Sequence, residues 1–180
     1  MRRASGVWRQ LRLPILAVLA VVVLAVPGEA VGASSNLVVS QVYGGGGNAG
    51  ATLKNDFIEV FNRGGSAVDL AGWSVQYASA TGTGWTVTAL SGSVQPGSHY
   101  LIQEAAGAGG SVELPTPDAA GSISMSATAA KVALANTTTP LAGSCPSGAQ
   151  IVDLVGYGTT ASCFEGSGAA PAPSNTTADL

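Results

Sequence analysis

"DFIEVFNRGGSAVDLAGWSVQY", residues 56–77, is the stretch on which the fold turns. Asp56 to Asn62 mixes apolar and polar residues at near two-residue period and is rich in β-formers. Asn62-Arg63-Gly64-Gly65-Ser66 is a turn signal, and Val68-Asp69-Leu70 reads as a short strand. Trp73, Val75 and Tyr77 then alternate with Ser74, Gln76 and Ala78. Side chains along a strand point to opposite faces in turn, so this segment has one apolar face and one small or polar face.

The pattern continues on both sides. Leu37 to Tyr43 opens the series, and Trp85, Val87 and Ala89 alternate with Thr86 and Thr88. Gln95-Pro96-Gly97 turns the chain into His99 to Glu104, and further strands are expected at Ser122 to Ser126, Lys131 to Ala135 and Gln150 to Val155. No stretch has the three-and-four spacing of an amphipathic helix. Roughly nine short strands separated by glycine- and proline-rich turns predict an all-β sandwich.

Ahead of residue 56 lies "VVSQVYGGGGNAGATLKN", residues 38–55, in which Gly45, Gly47 and Gly50 spell G-x-G-x-x-G. Those glycines bind a pyrophosphate only when they turn a strand into a helix whose N-terminal amides face it. A strand follows instead. Gly45 and Gly50 also have P-loop spacing, but Ala51-Thr52 stands where a Lys-Ser/Thr pair must meet phosphate and magnesium. The glycine run therefore reads as a flexible connection between two strands.

At the N-terminus Arg2, Arg3, Arg9 and Arg12 precede an apolar run from Ile15 to Val26, too short to span a bilayer comfortably. Pro27-Gly28 ends it, and Val31-Gly32-Ala33 supplies small residues for a signal peptidase. Residues 1–33 are read as a secretory signal cleaved after Ala33, with Ala30 as the alternative. Arg2-Arg3 raises twin-arginine export, which the following residues do not support. An uncleaved N-terminal anchor is the competing reading. Residues 34–165 form the expected domain, and residues 166–180, which include Gly166-Ser-Gly-Ala-Ala-Pro-Ala-Pro-Ser174, have the composition of an extended tail.

Export changes the charge balance. Lys54, Arg63 and Lys131 remain against nine acids, Asp56, Glu59, Asp69, Glu104, Glu113, Asp118, Asp153, Glu165 and Asp179. Duplex DNA demands clustered Lys and Arg, so autonomous nucleic-acid binding is not expected. Cys145 and Cys163 are the only cysteines, and on an exported chain an even pair is expected to form a disulfide.

The segments Asp56-Phe57-Ile58-Glu59-Val60-Phe61-Asn62 and Val68-Asp69-Leu70-Ala71-Gly72-Trp73 resemble the lamin tail domain family in its bacterial secreted form, whose signature reads (D/E)-F-(I/V)-E-(L/V)-x-N followed by (V/I)-D-L-x-G-W. Leu114-Pro-Thr-Pro-Asp118, Ile151-Val-Asp-Leu-Val-Gly-Tyr-Gly158 and Ser174-Asn-Thr-Thr177 also look like its bacterial members. The resemblance covers nearly all of Asn36 to Leu180 and implies an immunoglobulin-like β-sandwich. The apolar residues of these strands, Phe57, Ile58, Val60, Leu70, Trp73, Val75, Trp85 and Val87, are expected to form its core, with Asn62 and Gly72 suited to chain reversals. Bacterial relatives usually continue past the Asn-Thr-Thr segment into another Cys- and Asp-rich stretch and a closing strand, and larger relatives then carry an endonuclease/exonuclease/phosphatase-type nuclease domain. The chain ending at Leu180 therefore raises two expectations: a truncated gene product, and an open sheet edge able to self-associate.

No catalytic, cofactor or metal residues are assigned. No G-x-S-x-G occurs, and the lone His99 sits at a strand start. The acids are scattered one per strand or turn, without the convergence that metal-dependent phosphodiester cleavage requires. Calcium at Asp56, Asp69 or Asp118 would need ligands brought together from different loops. Asn136-Thr-Thr138 and Asn175-Thr-Thr177 match glycosylation acceptors, relevant only to a eukaryotic secretory pathway. The chain is expected to be an extracellular, non-catalytic binding or accessory module for protein, cell-surface material or an associated catalytic domain, with no membrane contact after signal removal. The enzyme-class alternative is the N-terminal fragment of a secreted nuclease. A third reading is a structural role on the cell surface.

Overall fold

A computed structural model describes residues 36–179, and the expected signal, residues 1–33, lies outside them. Ten strands follow in order: β1 (Leu37–Tyr43), β2 (Asn55–Asn62), β3 (Val68–Asp69), β4 (Ser74–Ser79), β5 (Thr86–Ala89), β6 (Ser93–Val94), β7 (His99–Ala106), β8 (Ala119–Ala120), β9 (Ala130–Ala135) and β10 (Ile151–Tyr157). One sheet has the order β1-β2-β7-β8, the other β10-β9-β4-β5, and β3 and β6 form a small ribbon. All pairings are antiparallel except β7 with β8. The architecture is the all-β sandwich that the alternation predicts and of the immunoglobulin-like kind that the resemblance implies.

The two sheets meet in one core cluster, to which β2 sends Ile58 and Val60, β7 sends Ile102, β4 sends Val75 and β9 sends Val132 and Leu134. Leu70 is fully buried in it. Trp73 was expected to be a core anchor, but it precedes β4 and packs on the cluster from the rim, only partly buried. Phe57 is buried on the opposite side of β2 from Ile58, stacked on Tyr43 at 5.3 Å between ring centroids.

A second cluster, including Ala78, Trp85, Ala133, Leu141, Leu154 and Cys163, lies on the outer side of the β9-β4 sheet. Both faces of this sheet are covered, and the polar face of β4 is therefore buried as well. Gln76, fully buried, donates to Thr139 O at 3.1 Å and accepts from Leu141 N at 2.8 Å. Val87 departs from its expected core role because of register. Gln76 pairs with Val87 and Val75 with Thr88, so Val87 stands on the outer face, partly covered, and Thr88 turns inward.

The remaining differences are in the connections. The glycine run is not a flexible loop: Gly44 to Gly47 are buried among four backbone segments. A Cβ on Gly45 would lie 2.4 Å from Ser174 O, and one on Gly46 would lie 2.0 Å from the Asn55 carbonyl carbon, so no larger residue fits. Ser122 to Ser126 alternates as a strand does, burying Ile123 and Met125, but joins no ladder. The stretch after residue 165 is part of the domain, not a detached tail. Ala170 exchanges backbone hydrogen bonds with Gly156 and Gly158, and Asp179 with Val42 on the outer edge of β1, at 2.9 and 3.0 Å. Backbone hydrogen bonds and a few small apolar contacts, Ala170 against the core and a buried Pro173, hold this segment, which is why its composition reads as a linker.

Candidate functional site

The outer face of the β1-β2-β7 sheet carries the only histidine. Phe61 pairs with His99 across β2 and β7, their ring centroids 4.7 Å apart, and Glu59 pairs with Leu101 one row on. His99 Nδ1 lies 2.8 Å from Glu59 Oε1, and Ser40 Oγ donates to the same oxygen at 2.7 Å. The connectivity is Ser–Glu–His. A nucleophilic triad needs the serine bonded to the imidazole and the acid behind it, so this set of residues cannot activate Ser40 through His99. It does form a polar, aromatic surface patch, with His99 exposed and Phe61 and Leu101 half-buried.

The interior acids serve the fold. Asp56 faces inward beside Ile58 and accepts from Gly46 N at 2.9 Å and Met125 N at 2.8 Å. Burial raises its pKa to about 6 against the pull of those two N–H groups. Glu104, 1% exposed, accepts from Ile123 N at 2.8 Å, so two carboxylates take the place of a neighbouring strand for the Ser122–Ser126 segment. Thr88 of the opposite sheet stands close enough to stabilise the Glu104 anion, yet neither Glu104 Oε1 nor Thr88 Oγ1 has a hydrogen-bond partner of regular geometry. Desolvation dominates and raises the Glu104 pKa.

Asp153 bridges the other seam. Its Oδ2 accepts from Val39 N of β1 at 2.6 Å, and its Oδ1 from Leu154 N at 3.1 Å. The Glu165 carboxyl lies beside it, with Arg63 near both. Burial and the Asp153 charge push Glu165 up to about 7. The pair lines a cavity of about 370 Å³ with Val38, Arg63 and Phe164. A groove of about 640 Å³ runs beside the disulfide, lined by Thr137, Leu141, Cys145, Pro146 and Gln150.

Cys145 and Cys163 are joined as a disulfide. Asp69 accepts from Ala71 N at 2.9 Å and Asp118 from Leu101 N at 2.8 Å. Among the described residues no three His, Cys, Asp or Glu side chains gather in a metal-holding group. The amide of Asn175, within a glycosylation motif, is engaged with Asn48 and Ala49 O.

A family model described as Lamin Tail Domain matches residues 30–159, from ahead of β1 through β10. The chain belongs to the lamin tail domain family. The family is one of non-catalytic immunoglobulin-like domains, and no curated protein matches the chain. The lamin tail signature can now be assigned physically. Asp56 ties the glycine run to the Met125 segment. Asn62, fully buried, donates to Ser66 O and Val94 O at 2.9 Å each and accepts from Gly64 N, fixing the turn into β3 and the β6 crossover. These are fold positions. The Asp153–Glu165 pair and the fully buried Lys131 were not anticipated. The signal for Lys131 was a single lysine inside the apolar run of β9.

Proposed function

We propose that this lamin tail domain is a secreted, non-catalytic binding or accessory module that uses the outer face of the β1-β2-β7 sheet to contact protein, cell-surface material or an associated catalytic domain. One observation carries the reading. The buried carboxylates of Asp56 and Asp153 are engaged by backbone N–H groups of the sandwich, whereas the Phe61–His99 pair, Glu59 and Leu101 lie on the outer face of the β1-β2-β7 sheet, with His99 exposed. Half-exposed aromatic side chains with a polar rim favour recognition over catalysis. The Cys145–Cys163 disulfide supports an extracellular setting.

Two measurements test the proposal. Purified chain incubated with plasmid and Mg²⁺ or Mn²⁺ should leave the DNA intact; cutting abolished by a carboxylate substitution in this chain would establish an enzyme instead. Labelled chain applied to cells of the producing organism should bind, and Phe61→Ala with His99→Ala should weaken that binding at least tenfold, the loss of a small hot spot. Undiminished binding by the double variant would move the contact surface elsewhere.

A further inference from the structure

Of the three cations among the described residues, Lys131 alone is fully buried. Its ammonium donates to Gly82 O at 2.8 Å, Ser144 O at 2.6 Å and Ser162 Oγ at 3.1 Å, and it lies 5.6 Å from the centroid of the Trp85 ring. No carboxylate is among these partners. A buried ammonium is tolerated only while its donors are satisfied, so every wall of this cage is needed. Burial also lowers the lysine pKa.

Two of the three walls are held together by the disulfide, because Ser144 precedes Cys145 and Ser162 precedes Cys163. Further contacts tie both walls to the rest of the cage: Trp85 Nε1 donates to Gly143 O at 3.0 Å, and Ser162 N and Oγ both donate to Ala80 O at 2.9 Å. Cys145 is exposed and lines the 640 Å³ groove, where a reductant can reach it.

We propose that the Cys145–Cys163 disulfide is a redox latch on this cage: its reduction frees the 143–147 and 162–164 segments, releases Lys131 to solvent and reshapes the groove beside Cys145. The step needs a dithiol reductant. Its two thiols become a disulfide, the Cys145–Cys163 S–S bond breaks, and two protons and two electrons pass to the protein as a pair of thiols.

Lys54, the other lysine among the described residues, is half-exposed in an ion pair with Glu113 and serves as an internal reference. The full chain is treated with an amine-acylating ester before and after reduction by dithiothreitol, and acylation of each lysine is read by peptide mass. The Lys131 to Lys54 rate ratio should rise at least tenfold on reduction, the size of a typical coupling between linked sites, while the amides of β2 and β7 stay protected from hydrogen exchange. An unchanged ratio overturns the latch. Loss of β2 and β7 protection along with Lys131 overturns it too, since the whole domain would then be unfolding. Coupling must be reciprocal, so Lys131→Ala should shift the dithiothreitol equilibrium about tenfold toward the dithiol. A Lys131→Ala protein that folds and titrates like the parent breaks the link, and should that variant not fold, the acylation ratio decides.

Discussion

Replacing Asp56 with alanine should destabilise the domain more at acid pH than at neutral pH, the reverse of what an ordinary salt-bridged aspartate does. Asp56 is 3% exposed, and burial raises its pKa from 3.8 to about 6 although it accepts two backbone hydrogen bonds. Between those values the folded state keeps a proton that the unfolded chain has released, so stability falls as pH rises. The contribution is fully present below about pH 4 and is lost as pH passes through about 6. A shift of about two units at 1.36 kcal/mol per unit corresponds to about 3 kcal/mol.

Alanine removes that pH dependence and leaves Gly46 N and Met125 N without their acceptor, at about 1–3 kcal/mol each at every pH. The stability gap between parent and variant should therefore be about 2 kcal/mol wider at pH 4 than at pH 7, since pH 4 already lies just above the unfolded value. Guanidinium unfolding of both proteins at pH 4, 5, 6 and 7 measures it; Asp153 and Glu165 largely cancel because they titrate in both, and loss of the Asp56 charge, which helps to raise Glu104, adds in the same direction. A gap constant to within about 0.5 kcal/mol, or narrower at pH 4, would refute the assignment of Asp56 as a desolvated acid.

Glu165, held up to about 7 by burial and by Asp153, follows the same sign. Amides of residues 163–170 should lose hydrogen-exchange protection as pH rises through 7, after correction for intrinsic rates, and Glu165→Gln should abolish that dependence. Gly46→Ala forces a Cβ against the Asn55 backbone and should cost about 1–3 kcal/mol or more, whereas Gly65→Ala, with open space around it, should stay within about 0.5 kcal/mol; thermal melts compare the two. Removing residues 175–180 takes away the Asp179 pairing with Val42 and the Asn175 contacts to Asn48, Ala49 and Tyr43. The exposed β1 edge should then lower the melting temperature and give concentration-dependent association in sedimentation, and an unchanged monomer would show that the edge is guarded by something else.

Alternation made Ile58, Val60 and Val75 legible as core, because a strand with one apolar parity must bury it. It failed at Val87 and Thr88, where both residues are β-formers and parity is decided by pairing with Gln76 and Val75, a register that no local pattern contains. The glycine run was equally unreadable in isolation. Its need for glycine comes from Asn55, Gly107, Ser126 and Ser174, segments that are brought against it only by the finished fold.

The buried acids, by contrast, left a signal that can be stated as a rule. Asp56 shares the parity of Ile58 and Val60, and Glu104 that of Tyr100 and Ile102, so each carboxylate is carried inward with the apolar side chains of its own strand. An acid in that position survives only if it finds donors. Donors are abundant where a ladder slips: β2 breaks register between Asn55 and Phe57, β10 between Ile151 and Asp153, and β1 between Val39 and Gln41. Asp56 and Asp153 sit at two of these breaks, and Asp153 takes the Val39 N–H at the third. Inward parity and an irregular ladder together convert residues that look like solvated acids into seam-closing acceptors.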